Sequence, residues 1–107
     1  MYKFLTRQEE LLLLVIWRLK ENAYGMAIKA KLEEFTESKW SFGAVYAPLG
    51  RLLKKGMANS TKGEPTPERG GKSKVFYTLT PEGKKALMHV KKIHEVSWQG
   101  LPSLELW

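Results

Sequence analysis

Residues 41–56 constrain the fold more than any other part of the chain. Wound at 3.6 residues per turn, they put Val45, Leu49, Leu52 and Leu53 on one side and Ala44, Ala47, Arg51, Lys54 and Lys55 around the other. Ser41 suits the start, because its hydroxyl can accept an N–H of the first turn, and Gly56 suits the stop. Pro48 lacks an N–H and crowds the carbonyl of Ala44. The helix is therefore expected to begin between Ser41 and Ala44, with a tight first turn and a kink. Such a helix is covered by its own protein on one side only.

The neighbouring segments fix what surrounds it. Residues 57–61 can form a strand, 62–74 are rich in glycine, proline and charge, and 75–79 alternate with β-forming side chains, which together give a hairpin. Its tip, 63–72, cannot pack a core and is expected to be mobile without a partner. Thr80 as cap and Pro81 at the first helical position open a fourth helix with an apolar stripe of Leu87, Val90, Ile93 and, at its end, Ser97 and Trp98. Upstream, Thr6 and Glu9 have capping-box spacing, which predicts a first helix from about residue 7 to Glu21. Asn22 is the expected cap of a second, ending near Thr36, with Tyr24, Ile28, Leu32 and Phe35 inward and Lys29, Lys31, Glu33 and Glu34 outward. The order predicts a mainly α fold with a small β-hairpin: a winged helix-turn-helix DNA-binding domain over 1–83, then a C-terminal dimerisation helix and tail over 84–107.

Seven consecutive apolar residues, 11–17, cover every side of the first helix rather than one stripe. Either this helix is central to the fold, or its outer face meets a second copy of the chain. The second reading places Leu11, Leu14 and Trp17 against Val90, Ile93 and Trp98 of the fourth helix in a homodimer. Trp17 and Trp98 can fill that interface or line a slot for a flat ligand, a small aromatic effector. The apolar tail, 100–107, is expected to dock on protein. The 11–17 run is too short to span a bilayer, and its flanking Glu9, Glu10, Arg18 and Lys20 do not suit a secretory leader. A cytoplasmic protein with no membrane partner is expected.

The chain has 107 residues, no cysteine, two histidines and a formal charge of +7. Eight cations lie between residues 39 and 74 against Glu64 and Glu68 alone, and this clustering attracts polyanions. Catalytic constellations are missing. His89 and His94, five apart on a helix, point about 140° away from each other and cannot share a metal. No glycine-rich loop joins a strand to a helix with a phosphate-binding lysine. Neither an enzyme, a cofactor nor a metal is expected.

A helix of about 12 to 15 residues fits the major groove of double-stranded DNA, with its N-terminal residues at base edges. Ser41, Gly43, Ala44 and Ala47 are small enough for close approach, and Tyr46 can place its hydroxyl on a phosphate. Arg51, Lys54 and Lys55 lie farther along and suit the backbone. Neutralising Lys54 and Lys55 together is expected to flatten the slope of log K against log salt by about two units. In the hairpin, Arg69, Lys72 and Lys74 can flank a minor groove. A core tyrosine and solvated charged faces are the alternatives.

Three stretches carry a family likeness. Tyr24-Gly25 follows the first helix; Gly43, Tyr46, Leu49 and Leu52 match the pattern Pro-Gly-Thr-Leu-Tyr-Pro-x-Leu-x-x-Leu; and Lys74 to Gly83 is similar to Arg-x-Tyr-x-Leu-Thr-x-x-Gly. Over about residues 5–88 the chain thus resembles the PadR family of bacterial transcriptional regulators. Ala44 stands where the pattern has threonine, Pro48 sits one position late, and the last helix ends near Trp98, short for the family. The resemblance implies a homodimer that represses a promoter in the bacterial cytoplasm, on the nucleoid, and is released by a small aromatic molecule. Tyr24, of the Tyr-Gly motif, joins the expected DNA-contacting residues. The altered turn leaves open a winged-helix protein-interaction module without sequence-specific DNA binding.

Overall fold

Thr6 and Glu9 close the capping box: the Glu9 N–H donates to Thr6 Oγ1 at 3.1 Å, and the Thr6 N–H donates to Glu9 Oε1 at 2.8 Å. From there α1 runs over Arg7–Leu19 in the computed structural model, which describes residues 5–65 and 73–102. The helix ends two residues earlier than expected. Lys20 takes a φ of 54°, and a 3-10 turn over Lys20–Asn22 follows.

The second helix, α2, spans Gly25–Thr36 and is capped by the backbone of Tyr24, not by Asn22. The reason is tertiary. The Tyr77 N–H donates to the Ala23 carbonyl at 2.8 Å and Tyr24 bridges to Phe76, so residues 23–24 lie along the hairpin and Asn22 is drawn into the turn before them. Ser41 caps α3, Phe42–Lys54, by accepting the Ala44 N–H at 3.1 Å; Pro48 lies buried within it, and Gly56, at φ 73°, stops it.

Strand β1, Ala58–Pro65, pairs antiparallel with β2, Ser73–Leu79, with Ala58 opposite Leu79, Lys62 opposite Val75 and a register shift between Lys62 and Pro65. Met57, expected in the strand, is a connector instead. Its N–H donates to the Leu52 carbonyl at 3.0 Å, and its own carbonyl accepts the Thr80 N–H at 3.2 Å. Thr80 opens α4, Pro81–Trp98, by accepting the Gly83 N–H at 3.0 Å, and its hydroxyl donates to the Gly56 carbonyl at 2.7 Å. The end of α3 and the start of α4 are thereby tied together.

The core gathers Leu12, Leu13, Val15 and Ile16 of α1, Ile28 and Leu32 of α2, Val45, Leu49 and Leu52 of α3, and Ala86 and Leu87 of α4. α1 is central to the fold, with four of its seven consecutive apolar residues fully buried, while Leu14 and Trp17 stay 38% and 42% exposed. Phe35, expected inside, is exposed beneath the Arg18 guanidinium, 5.3 Å from its ring centroid. Three residues past Leu32, it has turned about 60° off the inward stripe. Lys29, expected outward, is half-buried and pairs with Glu33 at 3.2 Å. The described part of the tail, through Pro102, is exposed, so no docking occurs within the protomer there. Residues 103–107, with Trp107, and most of the hairpin tip, 66–72, lie outside the described residues.

Candidate nucleic-acid interface

One side of α3 faces away from the core. Ser41, Gly43, Ala44, Tyr46 and Ala47 are all exposed along its first half, as their spacing predicts. Phe42, at the first helical position, is 57% exposed. Its ring stacks on Tyr46 with centroids 6.3 Å apart and planes 19° apart, and the Lys29 ammonium lies 5.5 Å from its centroid. Tyr46 is both surface and bracket. Its outer face is open, while its hydroxyl presses so closely on Gly25 that a Cβ there would collide with it.

That contact sets α3 against the start of α2, beside the wing. Tyr24, Gly25, Tyr46, Lys74 and Tyr77 border a cleft of about 130 Å³. The Lys74 ammonium lies 4.1 Å from the Tyr24 ring centroid, and Phe76 meets the same ring edge-on at 5.8 Å. Tyr24 is half-buried, its ring held between the Lys74 ammonium and the Phe76 ring. The N-terminus of α2 contributes outward-pointing N–H groups and Lys74 a full charge, so this corner favours an anion. Arg69 and Lys72, the other expected wing cations, lie outside the described residues.

The cations of α3 divide into two groups. Lys54 is exposed. Arg51 and Lys55 instead converge on Glu9, whose Oε2 lies 3.3 Å from Arg51 Nε and 2.9 Å from Lys55 Nζ. Glu9 is completely buried. Burial pushes its carboxyl up, but the Lys55 ammonium, the Thr6 N–H and the Arg51 guanidinium together outweigh this and hold it below the ordinary glutamate value. Arg51, Lys54 and Lys55 all lie on the outer arc of α3, as its period predicts, and two of them pair with a carboxylate of α1.

A second face lies between α1 and α4. Leu14, Trp17, Leu87 and Met88 border a cavity of about 390 Å³ with Glu10, Lys91 and His94 at its edge. His94 Nε2 lies 3.1 Å from Glu10 Oε2, and Lys84 approaches the Trp17 ring at 5.7 Å. Leu11, Val90 and Ile93 are half-buried, whereas Trp98, at the far end of α4, is exposed. Trp17 borders the cavity and Trp98 does not.

The Transcriptional regulator PadR-like family matches residues 12–89. The chain belongs to this PadR-like family. Among solved structures, a PadR family transcriptional regulator from Eggerthella lenta is 28% identical, with a TM-score of 0.69 over 88% of this chain and 80% of the other. A PadR-like transcription factor from Bacteroides fragilis is 29% identical, with a TM-score of 0.63 over 87% and 84%. RosR of H. salinarum is 26% identical, with a TM-score of 0.69 over 92% and 81%. No curated protein sequence matches significantly.

The PadR-like match makes the chain a DNA-binding regulator of transcription rather than an enzyme, built as a winged helix with α4 appended. No described helix is long and apolar enough to cross a membrane. For this PadR-like chain, reading the residues in sequence passed over Phe42, Lys29 and Glu9 as parts of the α3 surface. Spacing alone does not expose Phe42, which lies three residues before the inward Val45 and only about 60° off the core-facing stripe. Glu9 was not legible either: its capping-box spacing accounts for it locally and gives no sign of partners 42 and 46 residues away.

Proposed function

We propose that the chain is a homodimeric repressor that reads double-stranded operator DNA with α3 and releases it when a small, flat aromatic molecule binds near Trp17. The open side of α3 carries this reading. Gly43, Ala44 and Ala47 let the helix backbone approach base edges, and Arg51 and Lys54 follow where phosphates would run. Tyr46, Tyr24 and Lys74 extend that surface toward the wing, whose sequence adds the cations Arg69 and Lys72. The dimer is supported by Leu14 and Trp17, whose exposure beside α4 is what a second copy would bury together with Val90, Ile93 and Trp98. The effector reading rests on the cavity beside Trp17, whose size suits a small ligand. In this role the protein works on the bacterial nucleoid, in the cytoplasm.

Selection of fragments from random duplex by the purified protein tests the central claim. An enriched motif with two half-sites about one helical turn apart is expected. No binding even at low salt would turn the reading toward a protein-interaction module. Light scattering after size exclusion should give a dimer, and a monomer at micromolar concentration removes that part. Tryptophan emission of the dimer should fall with planar phenolic or cationic compounds; unchanged emission removes the effector.

A further inference from the structure

We infer that Glu9 is a positioning residue for the DNA-binding surface: it withholds Lys55 from the phosphates while presenting Arg51 to them. The inference rests on the DNA reading above and concerns which cations of α3 do the contacting. A carboxylate without solvent exposure must keep compensating partners. Glu9 has the Thr6 N–H on Oε1 at 2.8 Å, with Lys55 at 2.9 Å and Arg51 at 3.3 Å on Oε2. The first turn of α1 is thus bolted to the last turn of α3.

The two cations are held differently. Lys55 gives its ammonium to Glu9, and its side chain is 27% exposed. Two of the ammonium N–H bonds remain, but a phosphate drawing the ammonium outward would lengthen its 2.9 Å contact with a carboxylate that has no access to water. Arg51 gives Glu9 its Nε, and its side chain is 48% exposed. The four N–H bonds of its two Nη groups remain for a phosphate, in an orientation that Glu9 fixes. Lys54 lies outside this contact, exposed on the same turn. Glu9, Arg51 and Lys55 together carry one net positive charge, so α3 delivers less charge to DNA than its composition suggests.

Counterion release makes the difference measurable. Each phosphate contact steepens the fall of log K with log salt by about 0.9. Anisotropy titrations of a random duplex over a salt series are expected to give a slope flattened by about one unit for Lys54→Gln and unchanged within a few tenths for Lys55→Gln. Glu9→Gln is expected to steepen the slope by about one unit, and the Glu9→Gln, Lys55→Gln double variant to restore it. A merely structural Glu9 would lower the melting temperature and leave the slope alone. That result in folded Glu9→Gln protein overturns the inference. So does an equal loss of slope for Lys55→Gln and Lys54→Gln, a comparison that keeps Glu9 in place and decides the matter if Glu9→Gln does not fold. Wild-type protein that fails to bind any duplex overturns the DNA reading and this inference with it.

Discussion

Gly25 shows how a single missing Cβ sets the interface. Tyr46 Oη occupies the space a side chain would need, with Tyr46 Cζ 2.9 Å from the same point, so the ring can brace α3 against α2 only over glycine. Gly25→Ala is expected to cost about 1–3 kcal/mol in urea unfolding, and combining it with Tyr46→Ala should reveal a coupling above about 0.5 kcal/mol. Phe42 makes the opposite prediction. Because it is exposed, Phe42→Ala should change stability by less than about 0.5 kcal/mol, yet shift the bases preferred in selected duplexes, read by sequencing. Glu9 and Glu33 add a pH dependence. Glu33 is held low by the Trp40 N–H at 2.9 Å and by Lys29, and Glu9 is held low despite its burial. Folded values below the unfolded one mean stability that is complete above about pH 4.3 and lost as the pH falls through the folded values. Urea midpoints should drop in that acid range, and less steeply in Glu9→Gln.

Among the elements, those with local punctuation behave as their sequences predict. Thr6, Ser41 and Thr80 each accept an N–H three residues on, and Gly56 takes the left-handed conformation that ends α3. Gly56→Ala is expected to destabilise by about 1 kcal/mol, measured by thermal melting. The start of α2 and the first residue of β1 departed from expectation for one reason. Ala23 accepts a backbone hydrogen bond from Tyr77 and Met57 one from Thr80, Tyr24 bridges to Phe76, and these pairings override the local preferences of Asn22 and of the 57–61 run.

At the level of the molecule, exposed apolar side chains gather on the α1–α4 face. α1 fills the centre and still presents Leu14 and Trp17 outward, an arrangement that a monomer would leave wet. Replacing both with glutamate is expected to leave the fold intact by circular dichroism, convert the proposed dimer to a monomer in light scattering, and lower duplex affinity at least tenfold through lost bivalency. A dimer that persists would place the contact elsewhere, with Trp98 and the adjoining part of α4 the next surface to alter.

The sequence alone determined the element order, three of the four helix caps, the stop at Gly56, the apolar ridge of α1 and which side of α3 stays open. These depend on residues within about four positions of each other, where spacing translates directly into geometry. Only the tertiary structure decided that Tyr46 rests on Gly25, that Lys74 covers Tyr24, and that Lys55 and Arg51 pair with Glu9. Charge and periodicity say that a side chain is cationic and faces outward. They do not say which distant carboxylate is buried beside it, and electrostatic energy depends on that separation in space, not on distance along the chain.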